Sequence, residues 1–371
     1  MFSKYQQIFV QIFFLWTTVI FALHPDVFLS TVQLVKKYGY PLEIHSVVTQ
    51  DGYKISIYRI RHGKNGNSTN TKPVLMMHGI ASQAESFIIN GVNNGSWAYS
   101  MADRGYDVWL GNTRGTPHGR KHLFLDTKQK EFWNFSFHEI GLYDLPAIID
   151  YVLEKTNKPK LSYLATSQGC VIFYVMCSYR REYQKKIIIA SFLAPAGYMK
   201  HFSYPLILPF TRTPKRLQEM LPLAVKFGTS VSLYQILHFV QLINSGHFRP
   251  FDHGEEKNIE IYGKPMPDDY PIETIDVPIA MYYSIGDVLI KYQDIEEMCN
   301  ALPMCVRQFI LPNKRWNHLD FVYSVHLTKE LIEPVAEFAE NYETKFKNSL
   351  CNELPEPREM ENAECIKSVY N

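Results

Sequence analysis

From residue 44 onward the chain alternates short apolar runs with segments of helical spacing, and this pattern constrains its fold more than any other. IHSVVTQ and YKISIYRI, rich in β-branched residues, flank Asp51-Gly52 and read as a hairpin. PVLMMHG, YDVWL, LSYLAT, IIIASFLAP, VPIAMYYSIGD and CVRQFILP follow as strands. Between them, FHEIGLYDLPAIIDYVLEK and GCVIFYVMCSYRREY carry apolar residues at helical intervals. Short apolar strands that alternate with helices are buried on both faces, so the fold class is α/β, a mainly parallel central sheet with helices on both sides.

The alternation stops between Gly197 and Thr274. The segment LPFTRTPKRLQEMLPLAVKFGTSVSLYQILHFVQLINSGHF is helix-like, rich in Leu, Phe and Tyr, and without a clear strand. It reads as an inserted helical cap over residues 197–274, between a first core part at 34–196 and a second at 275–347. Residues 348–371 form a polar, acidic tail. At 371 residues and 46% hydrophobic composition the chain can bury a core of that size.

The amino terminus carries Lys4, an apolar run from Ile8 to Leu23, then Pro25 and Asp26, the layout of a secretory signal peptide over residues 1–22 with cleavage after Ala22. An uncleaved anchor is the alternative, but the run is short for a span of about 20 residues and is interrupted by Gln11, Thr17 and Thr18. No other stretch is apolar enough to cross a bilayer, so no transmembrane segment is expected in the mature chain. Secretion gives meaning to the N-x-[ST] sequons at Asn67, Asn94 and Asn134. Asn67 lies in a polar, Gly- and Asn-rich loop, whereas Asn134 sits among Phe132, Trp133 and Phe135 and reads equally as an unmodified structural residue. Cys170 and Cys177 stand about 10 Å apart along one helix, too far to bond, and read as core thiols. Cys299 with Cys305 and Cys351 with Cys365 are possible bridges. With 38 basic and 37 acidic residues and no basic block, nucleic acid is excluded as a partner.

Chemistry concentrates at LATSQGC. A relaxed [AG]-x-S-x-G string is common by chance, but here it follows a strand and opens a helix. That turn needs small residues two before and two after the serine, and Ala165 and Gly169 flank Ser167 in this way. A serine hydroxyl needs a histidine to take its proton and a carboxylate to orient that histidine. Asp287 follows the strand VPIAMYYSIG and His318 follows CVRQFILP, in the order Ser, Asp, His and each at a strand end. Alone, Asp287 reads as a helix N-cap and His318 as a surface histidine; together the three form a candidate triad, with Asp294 and His326 as less well placed substitutes. An oxyanion needs two donors: the backbone amide of Gln168 is one and that of Ile80, after His78-Gly79, the other. His78-Gly79 as a plain turn is the alternative. No cofactor or metal is expected.

HGIASQAESFI, YDVWLGNTRGTPHGRKH, FWNFSFHEIGLYDLPAIIDYV, SQG, FLAPAGY, SGHFRPFDHG and NHLDFVY, in that order from about residue 34 to 345, resemble the acid lipase family of lysosomal and gastric lipases and their insect relatives. The resemblance implies an α/β-hydrolase core with a helical cap and lid, action on ester bonds of neutral lipids such as triacylglycerols or steryl esters, and an extracellular or lysosomal destination. It also supports Ser167, Asp287 and His318 as the triad and Ile80 with Gln168 as the oxyanion hole. The family usually has G-H-S-Q-G where this chain has A-T-S-Q-G, and His-Gly-Leu where it has His-Gly-Ile. The second change leaves a backbone donor untouched; Thr166 bears on rate and pH dependence.

Leu221, Leu223, Val225, Phe227, Leu233, Tyr234, Leu237 and Phe239 of the cap would cover an acyl-chain site facing a lipid surface, with ordinary core packing as the alternative for most of them. Two rival functions stand beside a lipase: a non-catalytic lipid carrier on the same fold, disfavoured because every triad position is retained, and an esterase of short acyl chains.

Overall fold

The computed structural model describes residues 25–66, 72–92, 95–203 and 231–349. The expected signal peptide, Asn67, Asn94, the cap residues Leu221, Leu223, Val225 and Phe227, and the pair Cys351 and Cys365 lie outside these residues.

A nine-stranded sheet carries the fold. The hairpin expected around Asp51-Gly52 joins β1 (Glu43–Val48) to β2 (Tyr53–Ile60), antiparallel, with Val48 opposite Lys54. β2 pairs antiparallel with β4 (Tyr106–Leu110) and, at its start, with the two-residue β5 (Lys121–His122). From there the sheet is parallel: β4, β3 (Lys72–Met77), β6 (Leu161–Thr166), β7 (Ile187–Leu193), β8 (Ile279–Tyr283) and β9 (Cys305–Ile310). Each strand except the two-residue β5, whose Lys121-His122 carries no apolar signal, coincides with one of the apolar runs of the sequence.

The strands read as continuously apolar because helices cover both faces. Leu75, Met77, Tyr163 and Ala165 point to one side, against Ile148 and Ile149 of α3 (Leu145–Thr156) and Ile172 and Val175 of α4 (Gln168–Tyr179). Val74, Met76 and Leu164 point to the other, against Trp97 and Met101 of α2 (Trp97–Asp103) and Val335 and Ala336 of α8 (Glu333–Ser349). The short α1 (Thr31–Lys37) is closed by a capping box between Ser30 and Gln33 and contributes Leu34 and Val35 to this second layer. Each large aliphatic residue buried in this way stabilises the fold by about 1.5–3 kcal/mol.

Between β7 and β8 the described residues contain no strand; they form α5 (Leu233–Ser245) and α6 (Glu255–Tyr262). α5 begins at a capping box of Ser232 with Gln235 and ends at Gly246, whose φ of 71° closes the helix. Its Leu233, Tyr234, Leu237 and Phe239 are half-buried, while Gln235, His238, Val240 and Leu242 are buried. The face turned inward is therefore partly polar. α7 (Tyr292–Ala301) then precedes β9 and is joined to it by a disulfide between Cys299 and Cys305, whose Cα atoms are 5.4 Å apart. Cys170 and Cys177 are free and buried in α4, as their helical spacing predicts.

Candidate active site

Ser167 sits between the last residue of β6 and the first of α4, with φ 53° and ψ −117°. An L-residue adopts such a conformation only where its surroundings enforce it, at a cost of about 1–3 kcal/mol. The enforcing contacts are visible. Ser167 N donates to the Leu193 carbonyl at 3.1 Å, continuing the β6–β7 ladder, and its own carbonyl accepts from Cys170 N at 2.9 Å in the first turn of the helix. The turn is tight enough that a β-carbon on Gly169 would lie 2.6 Å from the Met77 carbonyl oxygen and 3.1 Å from Cβ of Ala165. The methyl of Ala165 therefore fits and any side chain at 169 does not. Ser167 itself is 7% exposed, at the carboxyl edge of the sheet.

Asp287 and His318 arrive on the loops that follow β8 and β9, and their side chains meet: His318 Nδ1 donates to Asp287 Oδ2 at 2.8 Å. A carboxylate accepts only, so the proton of the neutral ring is on Nδ1 and Nε2 is left as a base. Asp287 is 1% exposed and His318 12%, which keeps this bond out of bulk water. The other oxygen of Asp287 accepts from Leu289 N and Ile290 N at 2.8 and 3.0 Å, so the carboxylate is oriented by its own turn. It is not the N-cap of the next helix; that position falls to Lys291. Asn317 joins the two loops, because its Oδ1 accepts from both Val288 N and His318 N.

The loop after β3 passes directly beside the serine, since a β-carbon on Gly79 would lie 3.1 Å from Cβ of Ser167. His78 Nδ1 donates to the Gly79 carbonyl at 2.8 Å. In a trans peptide the C=O and N–H point in opposite directions, so this bond turns the Ile80 amide away from His78. His78 is fully buried, burial lowers its pKa to about 4, and its Nε2 has no hydrogen-bond partner among the described residues.

Several buried polar residues had no signal in the local sequence. Gln235 of α5 donates from Nε2 to Gln168 Oε1 at 3.1 Å. His238, one turn on, is held between Ser136 Oγ at 3.0 Å and the Arg249 carbonyl at 2.9 Å, and its ring stacks on Phe137 with centroids 3.8 Å apart. Arg114, in the GNTRG run, is wholly buried: its Nε donates to Asp144 Oδ1 at 2.7 Å, and Nη1 and Nη2 donate to the two Asp51 oxygens at 2.6 and 2.8 Å. The two substitute candidates are placed elsewhere. Asp294 lies in α7 and accepts from Lys200 N and His201 N, and His326 is exposed. Asn134 is exposed despite its aromatic neighbours, because Phe132 and Phe135 turn inward and leave it at the surface.

Residues 31–91 match a family described as a partial alpha/beta-hydrolase lipase region, and residues 72–213 match the alpha/beta hydrolase fold. The chain is 36% identical over 351 residues to Lipase 1 of Drosophila melanogaster, an alignment covering 82% of this chain and 78% of that one. It is 32% identical over 369 residues to gastric triacylglycerol lipase of Bos taurus, covering 85% and 92%, and 30% identical over 383 residues to Lipase member M of Homo sapiens, covering 89% and 90%. Among solved structures, an esterase of Pyrococcus furiosus has a TM-score of 0.53 at 16% identity, covering 83% of this chain and 93% of that one, a likeness of fold alone.

Proposed function

The chain belongs to the acid lipase family, the α/β-hydrolases that include its gastric and insect relatives, and we propose that Ser167, His318 and Asp287 make it a serine hydrolase of neutral-lipid esters. The pairing of His318 Nδ1 with the buried Asp287 carboxylate supports this reading most, because it leaves Nε2 free to act as a base.

In this mechanism His318 Nε2 takes the proton of Ser167 Oγ as that oxygen attacks the ester carbonyl, and the Asp287 carboxylate stabilises the imidazolium. The negative charge moves to the carbonyl oxygen, which the amides of Gln168 and Ile80 receive. Gln168 N lies at the first turn of α4, where the helix dipole also favours negative charge. Collapse of the intermediate breaks the ester C–O bond, the alcohol leaves with the proton held by His318, and an acyl-serine remains. Water then enters, gives its proton to His318 and attacks the acyl carbon; the fatty acid leaves and Ser167 recovers its proton.

Triacylglycerols are the proposed substrates, by likeness to the gastric relatives, with steryl esters as a second group. The insertion at 197–274 acts as a cap whose helix α5 reaches the elbow through Gln235. The enzyme works in the secretory pathway, outside the cell or in lysosomes, with glycans on Asn67, Asn94 and the exposed Asn134.

Purified protein and its Ser167→Ala variant, assayed on long-chain triacylglycerol, steryl ester and a short-chain ester at acidic and neutral pH, test the reading. Hydrolysis by the unaltered protein alone supports it. Equal hydrolysis by both removes Ser167 from the reaction, no hydrolysis by either makes the chain a carrier, and a strong preference for the short ester makes it a soluble esterase.

A further inference from the structure

The register of the sheet carries part of the chain beyond the edge on which Ser167 lies. β3, β4 and β6 run parallel and end together, with Met76 opposite both Leu110 and Leu164. β2 runs against β4 with Tyr58 opposite Leu110, so Tyr53, five residues earlier, lies beyond that edge. At about 3.3 Å per residue Tyr53 lies roughly 17 Å past the level of Leu110 and Leu164, and therefore roughly 7 Å past that of Ser167, which is itself three residues beyond Leu164. β5 pairs with this overhang, His122 against Tyr53, and the chain then turns through Leu123 and Phe124.

Those two residues are 48% and 86% exposed, the latter unusually high for an aromatic side chain. Their backbone, in contrast, is firmly held. Leu123 N donates to the Gly52 carbonyl at 2.9 Å, and the amides of Phe124 and Leu125 both donate to His122 Nδ1 at 3.0 Å. His122 in turn donates from Nε2 to the Asp51 carbonyl at 2.8 Å, and the Asp51 side chain is fastened to buried Arg114. Exposed Lys121, Lys128 and Lys130 flank the tip in sequence, with exposed Asp126 and Glu131 among them, a local excess of one positive charge.

We infer that the Leu123-Phe124 tip is a docking point that inserts into a lipid–water surface carrying anionic head groups, with the neighbouring lysines drawn to its charge. An apolar pair presented on a braced turn, with three exposed lysines close by in the chain, has the chemistry of a membrane-surface contact: the apolar side chains enter the acyl boundary and the ammonium groups stay at head-group level. The overhang places the contact on the side of the molecule from which a lipid ester would reach Ser167. This inference rests on the reading of the chain as a lipase, but docking is measurable without turnover.

Full-length Ser167→Ala protein is mixed with vesicles of phosphatidylcholine alone and with vesicles in which one lipid in three is phosphatidylserine, and binding is followed by co-sedimentation. Binding is expected to favour the anionic vesicles and to weaken with added salt. The double variant Leu123→Ser, Phe124→Ser should bind about tenfold more weakly or less, and the variant with Lys121, Lys128 and Lys130 all changed to Gln should lose the preference for phosphatidylserine. With Ser167 intact, both variants should hydrolyse a water-soluble short ester at unchanged kcat/KM. Vesicle binding unaffected by either set, or a parallel fall on the soluble ester, overturns the inference. Tip-dependent vesicle binding by a protein that hydrolyses no ester would preserve the docking surface and reject the lipase.

Discussion

Gln235 Nε2 donates to Gln168 Oε1 at 3.1 Å, linking helix α5 of the insertion to the residue directly after Ser167. Both side chains are buried, so neither can exchange its partner for bulk water. Gln235→Leu leaves the Gln168 carbonyl unpaired and is expected to cost about 1–3 kcal/mol of stability. Urea unfolding measures the loss. Because Gln168 also supplies a proposed oxyanion donor, kcat should fall more than KM rises; a change in KM alone would detach the cap from the elbow.

The elbow tolerates Ala165 but excludes a side chain at 169. Gly169→Ala places a methyl 2.6 Å from the Met77 carbonyl oxygen, a backbone atom that cannot swing aside. Overpacking of this kind costs about 1–3 kcal/mol, and here it also pushes Ser167 away from the β3 loop. The added change Ala165→Gly relieves only the 3.1 Å contact and should not restore activity. Denaturation midpoints and hydrolysis rates of the single and double variants check this, and full rescue by the double variant would contradict the packing described.

Stability should depend on pH through His78. Burial lowers its pKa from 6.5 to about 4, so between these values the unfolded chain holds a proton that the folded chain does not. The associated stability is complete above pH 6.5 and declines as pH falls toward 4, by roughly 3 kcal/mol in total. His238, which burial pushes down to about 3, acts in the same direction. Urea midpoints at neutral pH and near pH 4.5 should differ less for His78→Asn than for the unaltered protein. An identical difference would place the protonation elsewhere.

Arg114 is clamped between Asp144 and Asp51, and its removal leaves a fully buried Asp144 without its cation. Arg114→Met is expected to cost about 3–5 kcal/mol, whereas the double variant Arg114→Met, Asp144→Asn, with no uncompensated charge, should recover part of the loss. Thermal unfolding of the three proteins decides it. Because Asp51 also braces the hairpin, the single variant should loosen the tip at Phe124.

The strands and the order of the candidate triad were legible because their signals are local: an apolar run, a turn residue at its end, a helix beyond. The elbow could be read despite Ala165 and Thr166 because the steric demand falls on two small residues that sequence shows directly. Asp287 taken alone reads as an N-cap; only the fold shows that its oxygens orient a tight turn and face His318, 31 residues away in the chain. The polar inner face of α5 was hidden for a related reason. Gln235 and His238 sit in a helix whose apolar residues attract notice, and their partners Gln168 and Ser136 are 67 and 102 residues distant. The Arg114 network likewise joins residues 30 and 63 apart, and a lone arginine in a glycine-rich run gives no sign of burial.

Ser167 is the proposed nucleophile, activated by His318 and Asp287. The most direct test is covalent trapping with an alkyl phosphonate p-nitrophenyl ester, followed by mass spectrometry of the proteolytic peptides. A single phosphonyl adduct on Ser167 is expected, formed at a rate that falls by several orders of magnitude in His318→Ala and is lowered in Asp287→Asn, with loss of ester hydrolysis in step with labelling. Labelling of another residue, or hydrolysis that persists after Ser167 is fully modified, would contradict it.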